Sequence, residues 1–111
     1  MNIVILRGVL SRPAEQRELP SGDTIVAYEV RIRSGDGPAE SVPVVWSPPA
    51  GRGLLDAGAE VVITGRVRRR FYRAGGVTQS RTEVVAYAVA RAADGKRVQR
   101  LIEAALAAAS P

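Results

Sequence analysis

The stretch Glu60–Val89, EVVITGRVRRRFYRAGGVTQSRTEVVAYAV, decides the reading of this chain. Val61, Ile63, Gly65 and Val67 alternate with Val62, Thr64, Arg66 and Arg68. That period of two lets one face be buried while the other carries charge. Gly75-Gly76 supplies a bend, and the return arm Thr82–Val89 is again β-rich. The stretch therefore reads as a long β-hairpin. Its outer part holds Arg66, Arg68, Arg69, Arg70 and Arg73, with Phe71 and Tyr72 among them, and no acid lies between Glu60 and Glu83.

Outward from the hairpin, three more strands are expected. Asn2–Leu10 is apolar and β-branched, with Gly8 marking a bulge or a close approach. Ser11–Asp23 is polar and rich in turn signals, Pro13, Pro20 and Ser21-Gly22. Thr24–Arg33 alternates, with Val26, Tyr28, Val30 and Ile32 facing a core and Glu29, Arg31 and Arg33 facing out. Glu40–Trp46 is a third strand in which Pro43 must occupy an edge or a non-bonding position. The Pro/Gly-rich loop Ser47–Gly58, which contains Gly51, has room for one helical turn around Gly53–Asp56. After Arg91 the period changes. Asp94 can cap, and Val98, Leu101, Ile102, Ala105, Leu106 and Ala109 recur at helical spacing over about four turns. Such a helix is marginal alone in water and must pack, on its own sheet or on another subunit.

The chain has 111 residues, enough for one domain and not two. With 5% aromatics its core must be built from Val, Ile, Leu and Ala. Its net charge of +5 comes almost wholly from arginine, since Lys96 is the only lysine. Arginine offers a planar fork suited to phosphate, so a polyanion is one partner class. The absence of Cys and His excludes disulfides, thiolate metal sites and His-based triads. No paired carboxylates suit acid–base chemistry, and Gly75-Gly76 lacks the Lys-Ser/Thr of a P-loop. The start MNIVILRGVLSRP is too short and too broken for a signal peptide, and no apolar run approaches a membrane span. A cytosolic, non-catalytic protein without cofactor or metal is expected. Five strands and one helix in a small basic domain suit an all-β OB-fold barrel with a long arm between the fourth and fifth strands. An SH3-like barrel is the rival on topology alone.

Ordered blocks carry a resemblance. Asn2–Leu10, then Pro13, Pro20-Ser21-Gly22 and Ala27-Tyr28-Glu29-Val30, resemble the opening of bacterial single-stranded DNA-binding proteins. Gly58–Arg68 is similar to that family's G-x-x-V-x-V-x-G-x-L-R, and Arg81–Val85 to its T-x-T-E-V-V. The blocks span nearly all of residues 2 to 90. The resemblance implies an OB-fold domain over residues 1–91 and an added helix over 92–111. It also implies sequence-tolerant binding of single-stranded DNA in replication, repair or recombination, by a homo-oligomer (dimer or tetramer) at the nucleoid. The departures are few aromatics, with Ser41 at one aromatic position, and a helix ending at Pro111 in place of the family's flexible tail. Recruitment of partners through an acidic tip is therefore not expected. A primosomal-type OB-fold scaffold that has lost DNA binding is the alternative.

The candidate nucleic-acid-binding residues are Arg31, Arg33, Trp46, Arg66, Arg68, Arg70, Phe71, Tyr72, Arg73 and Arg81. Alternation divides them: Arg66, Arg68 and Arg70 share one face, Arg69 the other, and only one of Phe71 and Tyr72 can use the binding face. The resemblance favours Tyr72. Trp46 is read either as a stacking ring or as core, Tyr28 as core and Tyr87 as structural. Glu29 and Glu83 are near enough to the basic surface to pair with arginine.

Overall fold

The computed structural model describes residues 1–49 and 52–109; Gly51 of the Pro/Gly-rich loop and Ser110-Pro111 at the end of the expected helix lie outside them. The elements are β1 (Val4–Leu10), β2 (Glu15–Glu18), β3 (Thr24–Ile32), β4 (Glu40–Trp46), β5 (Glu60–Ala74), β6 (Val77–Arg91) and α1 (Gly95–Ala109). The sheet runs β1-β5-β6-β4-β3-β2, and a further β1–β3 pairing brings it round. Five strands thus make a ring, with β2 hanging from β3. All pairings are antiparallel except β4 with β6.

Glycine closes the ring at one point and turns the arm at another. A Cβ on Gly8 would lie 2.5 Å from the Arg31 carbonyl oxygen and 2.7 Å from Val30, so only glycine lets β1 cross β3. The close-approach reading of Gly8 holds. Beyond that crossing, β1 pairs with β3 only at Val9 and Leu10. Gly75 and Gly76 both have positive φ, 60° and 78°, as a two-residue primed turn requires, and they join Ala74 to Val77.

Inside the ring, Leu10, Val26, Tyr28, Val30, Val44, Trp46, Val61, Ile63, Val84, Ala86 and Val89 form the core. A second, smaller cluster of Val62, Ala90 and Leu101 sits outside the ring, beneath α1. Strand β5 is therefore buried on both faces over Val61–Gly65, and only beyond Gly65 does its outer face carry charge. The period of two is as expected; the helix adds the second cover. Asp94 caps α1, accepting a hydrogen bond from the Arg97 amide at 3.2 Å.

Strand β6 changes phase once. Thr64 opposes Ala88 and Gly65 opposes Ala86, which leaves Tyr87 as an unopposed bulge residue. Before it, Val84 and Ala86 face the ring core; after it, Val89 does, while Ala88 and Ala90 face the helix.

Three expectations are corrected. A sixth strand, β2, falls in the stretch read as turns: all its residues are exposed, so no apolar alternation announces it. No helical turn occupies Gly53–Asp56, because Gly53 has φ of 91°, outside the right-handed helical region. The second expected strand stops at Ile32, one residue before Arg33. Pro43 is accommodated as expected, since pairing of β4 with β6 begins only at Val44. Among the described residues no helix is long and apolar enough to cross a membrane.

Candidate nucleic-acid interface

The two-residue turn fixes the hairpin register. Arg68 opposes Glu83, Arg70 opposes Arg81 and Tyr72 opposes Gln79 on one face. Arg69, Phe71 and Arg73 lie on the other, opposite Thr82, Ser80 and Thr78. The first face looks outward and continues over β4 and β3, whose outward residues are Pro43, Val45, Ala27 and Glu29. Together they form a groove that also takes in Arg12 and Arg17.

This groove is cationic but internally compensated. Glu83 is only 2% exposed, and its Oε1 lies 3.3 Å from both Arg68 Nη2 and Arg70 Nε. Arg81 Nη2 is 3.8 Å from Glu29 Oε2, and Ser41 Oγ donates to the other oxygen of Glu29 at 2.7 Å. Arg17 pairs with Glu15 at 3.3 Å. The cluster that looked unopposed along the chain is thus opposed across it, by the two glutamates singled out as pairing partners. Arg68 Nε is buried and has no hydrogen-bond partner.

The aromatic pair divides as alternation requires. Tyr72, 39% exposed, is on the groove face. The Arg70 guanidinium lies over its ring at 5.7 Å from the centroid, and its hydroxyl donates to Gln79 Oε1 at 3.4 Å. Phe71, 66% exposed, points from the opposite face of the arm. Arg73 donates to the Gly76 carbonyl at 2.9 Å, which ties it to the tip.

The structure brings Arg66, Arg68, Arg70, Tyr72 and Arg81 to one face, with Arg31 on the same outward side of β3 opposite Ser41. It leaves Phe71 and Arg73 on the reverse, and Arg33 exposed just past β3. Arg31, Arg33 and Arg66 form no ion pair among the described residues. Trp46 is not on this surface. Its side chain is buried in the ring, with its ring carbons 3.3 Å from where a Gly53 Cβ would stand, so of its two readings the core one holds. Tyr28 is buried beside it as expected, donating to the Gly53 carbonyl at 2.8 Å, and burial pushes its hydroxyl up to about 12.

Sequence reasoning missed Arg17, which reaches the groove because β2 adds to β3, and Arg12, whose neighbour Ser11 is held by its amide to the Glu29 carbonyl of β3. It also left the Arg68–Glu83 pairing unassigned. The signal was there: a two-residue turn at Gly75-Gly76 pairs each position back along one arm with one forward along the other. No family model matches the chain, and no curated protein matches it.

Proposed function

We propose that this chain is a non-catalytic, OB-fold-type protein of the single-stranded DNA-binding kind. It binds the strand along the arm groove with little sequence preference. The observation that carries this reading is the outward face of the arm. Arg66, Arg68, Arg70 and Arg81 share one face of the arm with the half-exposed ring of Tyr72, over which Arg70 lies, and that face leads into a groove along the sheet. Arginine forks neutralise phosphates and release counterions; a base stacks on the ring face that Arg70 leaves free. Glu83 holds Arg68 and Arg70 in place on the sheet, so less ordering is required when a strand arrives.

The unpaired side of β1 before Val9, beside the exposed Ile5, supports assembly into a homo-oligomer, which light scattering will test. Of the two packings expected for the helix, the apolar cluster of Val62, Ala90 and Leu101 supports the one on its own sheet.

Titration with dT oligomers tests the function. With about four phosphate contacts, log K falls against log salt with a slope of about −3. Equal affinity for duplex and single strand, or a flat salt dependence, rejects the reading. A second reading, an OB-fold scaffold without DNA binding, is favoured by the ion pairs that engage Arg68, Arg70 and Arg81. It predicts no gel shift at micromolar protein and low salt.

A further inference from the structure

A second basic surface lies away from the arm, in the cleft between the loop after β4 and the first turns of α1. Two adjoining cavities of ≈ 200 and ≈ 320 Å³ share Trp46, Val89 and Arg97 in their walls. One extends to Arg52 and Arg91, the other to Arg100 and Tyr87. By contrast the arm groove encloses ≈ 120 Å³, so the cleft has more room for a base.

Three observations point to a ligand of one chemistry. None of Arg52, Arg91, Arg97 and Arg100 forms an ion pair among the described residues. The one carboxylate in the cleft wall, Asp94, is engaged by the helix amide that it caps. Tyr87, 58% exposed, is set outward by the bulge that leaves it without a cross-strand partner, and it shares a cavity wall with Arg97 and Arg100. Those two arginines are three residues apart on α1 and so lie on one helix face. Uncompensated guanidinium forks beside an exposed ring fit alternating phosphate and base. The ring's position also fits: Tyr87 is six residues along β6 from Arg81, about 20 Å at strand rise.

We propose that the cleft is a second contact site for single-stranded nucleic acid. The strand leaving the arm groove follows β6 to stack a base on Tyr87 and place phosphates on Arg97 and Arg100. Arg52 and Arg91 extend the track. This rests on the arm-groove reading for the first contact, and it adds a contact that only longer strands reach.

The test compares wild type with Arg97→Ala/Arg100→Ala, Tyr87→Ala and Tyr87→Phe, titrated with dT oligomers of increasing length at several salt concentrations. Unfolding midpoints show that the exposed substitutions leave the fold intact. Short oligomers are expected to bind alike in all four proteins. On long oligomers the double variant binds about tenfold more weakly, with a salt slope shallower by about 1.4, because two phosphates are no longer neutralised. Tyr87→Ala also loses about tenfold, and Tyr87→Phe retains wild-type affinity because it keeps the ring. Equal affinities at every length overturn the second contact and leave the arm reading standing. Weaker binding of the shortest oligomers by the helix variants overturns it too, because the cleft would then be the first contact. Absence of binding by wild type at all lengths overturns both readings. Binding of poly-glutamate that is lost in the double variant, with DNA affinity unchanged, assigns the cleft to an acidic protein segment instead.

Discussion

The arm groove and the helix-side cleft are lined by four arginines each, yet they hold them differently. In the groove, Arg17, Arg70 and Arg81 each face a glutamate; in the cleft, Arg52, Arg91, Arg97 and Arg100 face none. A paired arginine is placed but partly neutralised, so it contributes geometry more than field. An unpaired one contributes field and must be ordered by its ligand. A count of basic residues along the chain therefore does not measure binding strength, because partners arrive from other strands.

The largest effect that separates the two regions is removal of the groove's buried acid. Glu83→Ala leaves Arg68 and Arg70 facing each other without a counter-charge. Because both arginines are partly solvated, the expected loss is about 2–3 kcal/mol, below that of a fully buried pair, and urea unfolding measures it. The same variant should keep a salt slope near about −3, since Arg68 and Arg70 are already among the four phosphate contacts. A slope shallower by about 1.4 would mean that the two arginines reach phosphate only while Glu83 holds them in place.

Next is pH. Tyr28 lies beneath the loop that forms one wall of the cleft, and its hydroxyl is raised from 10.0 to about 12 by burial. The folded state therefore prefers the neutral phenol. Its stabilisation is complete below pH 10 and is lost as pH rises through about 12, amounting to about 2–3 kcal/mol at the limit. Fluorescence of Trp46, buried beside the same glycine, should report the alkaline transition. Tyr28→Phe should lose this tyrosine-linked fall in that window, at the cost of about 1 kcal/mol at neutral pH for the hydrogen bond to Gly53.

Tyr72→Ala is expected to weaken dT binding by about 1.5 kcal/mol, roughly tenfold, and Phe71→Ala by much less, since its ring is on the reverse of the arm. Equal losses would show that the strand wraps the arm rather than lying in the groove. Smallest is Asp94→Ala on the cleft side, about 1 kcal/mol of stability through the missing cap, read from the thermal midpoint.

Much of this architecture was legible in the chain. Strands with one apolar face, the Gly75-Gly76 turn, the Asp94 cap and the helical stripe each declare themselves through local chemistry. The expected strand Glu40–Trp46 matches β4 at both ends. What was not legible has physical causes. Strand β2 is wholly exposed and is held by backbone pairing, which leaves no hydrophobic pattern. Trp46 lies on an alternating strand whose inward phase depends on the partner β6. The cleft joins residues from β4, the following loop, β6 and α1, and nothing in their spacing brings them together.

The bulge at Tyr87 also governs how this chain can be compared with any other. It acts as a frameshift at the level of side chains. Were the strand to run on regularly with Tyr87 taken into the ladder, Val89 would turn away from the ring core and Ala88 and Ala90 would rotate into it, leaving α1 with the wrong face to pack on, whereas deleting Tyr87 would close the bulge and keep both faces. An alignment that allows no gap at Tyr87 would, for the same reason, set core positions of the last strand against surface positions of its counterpart.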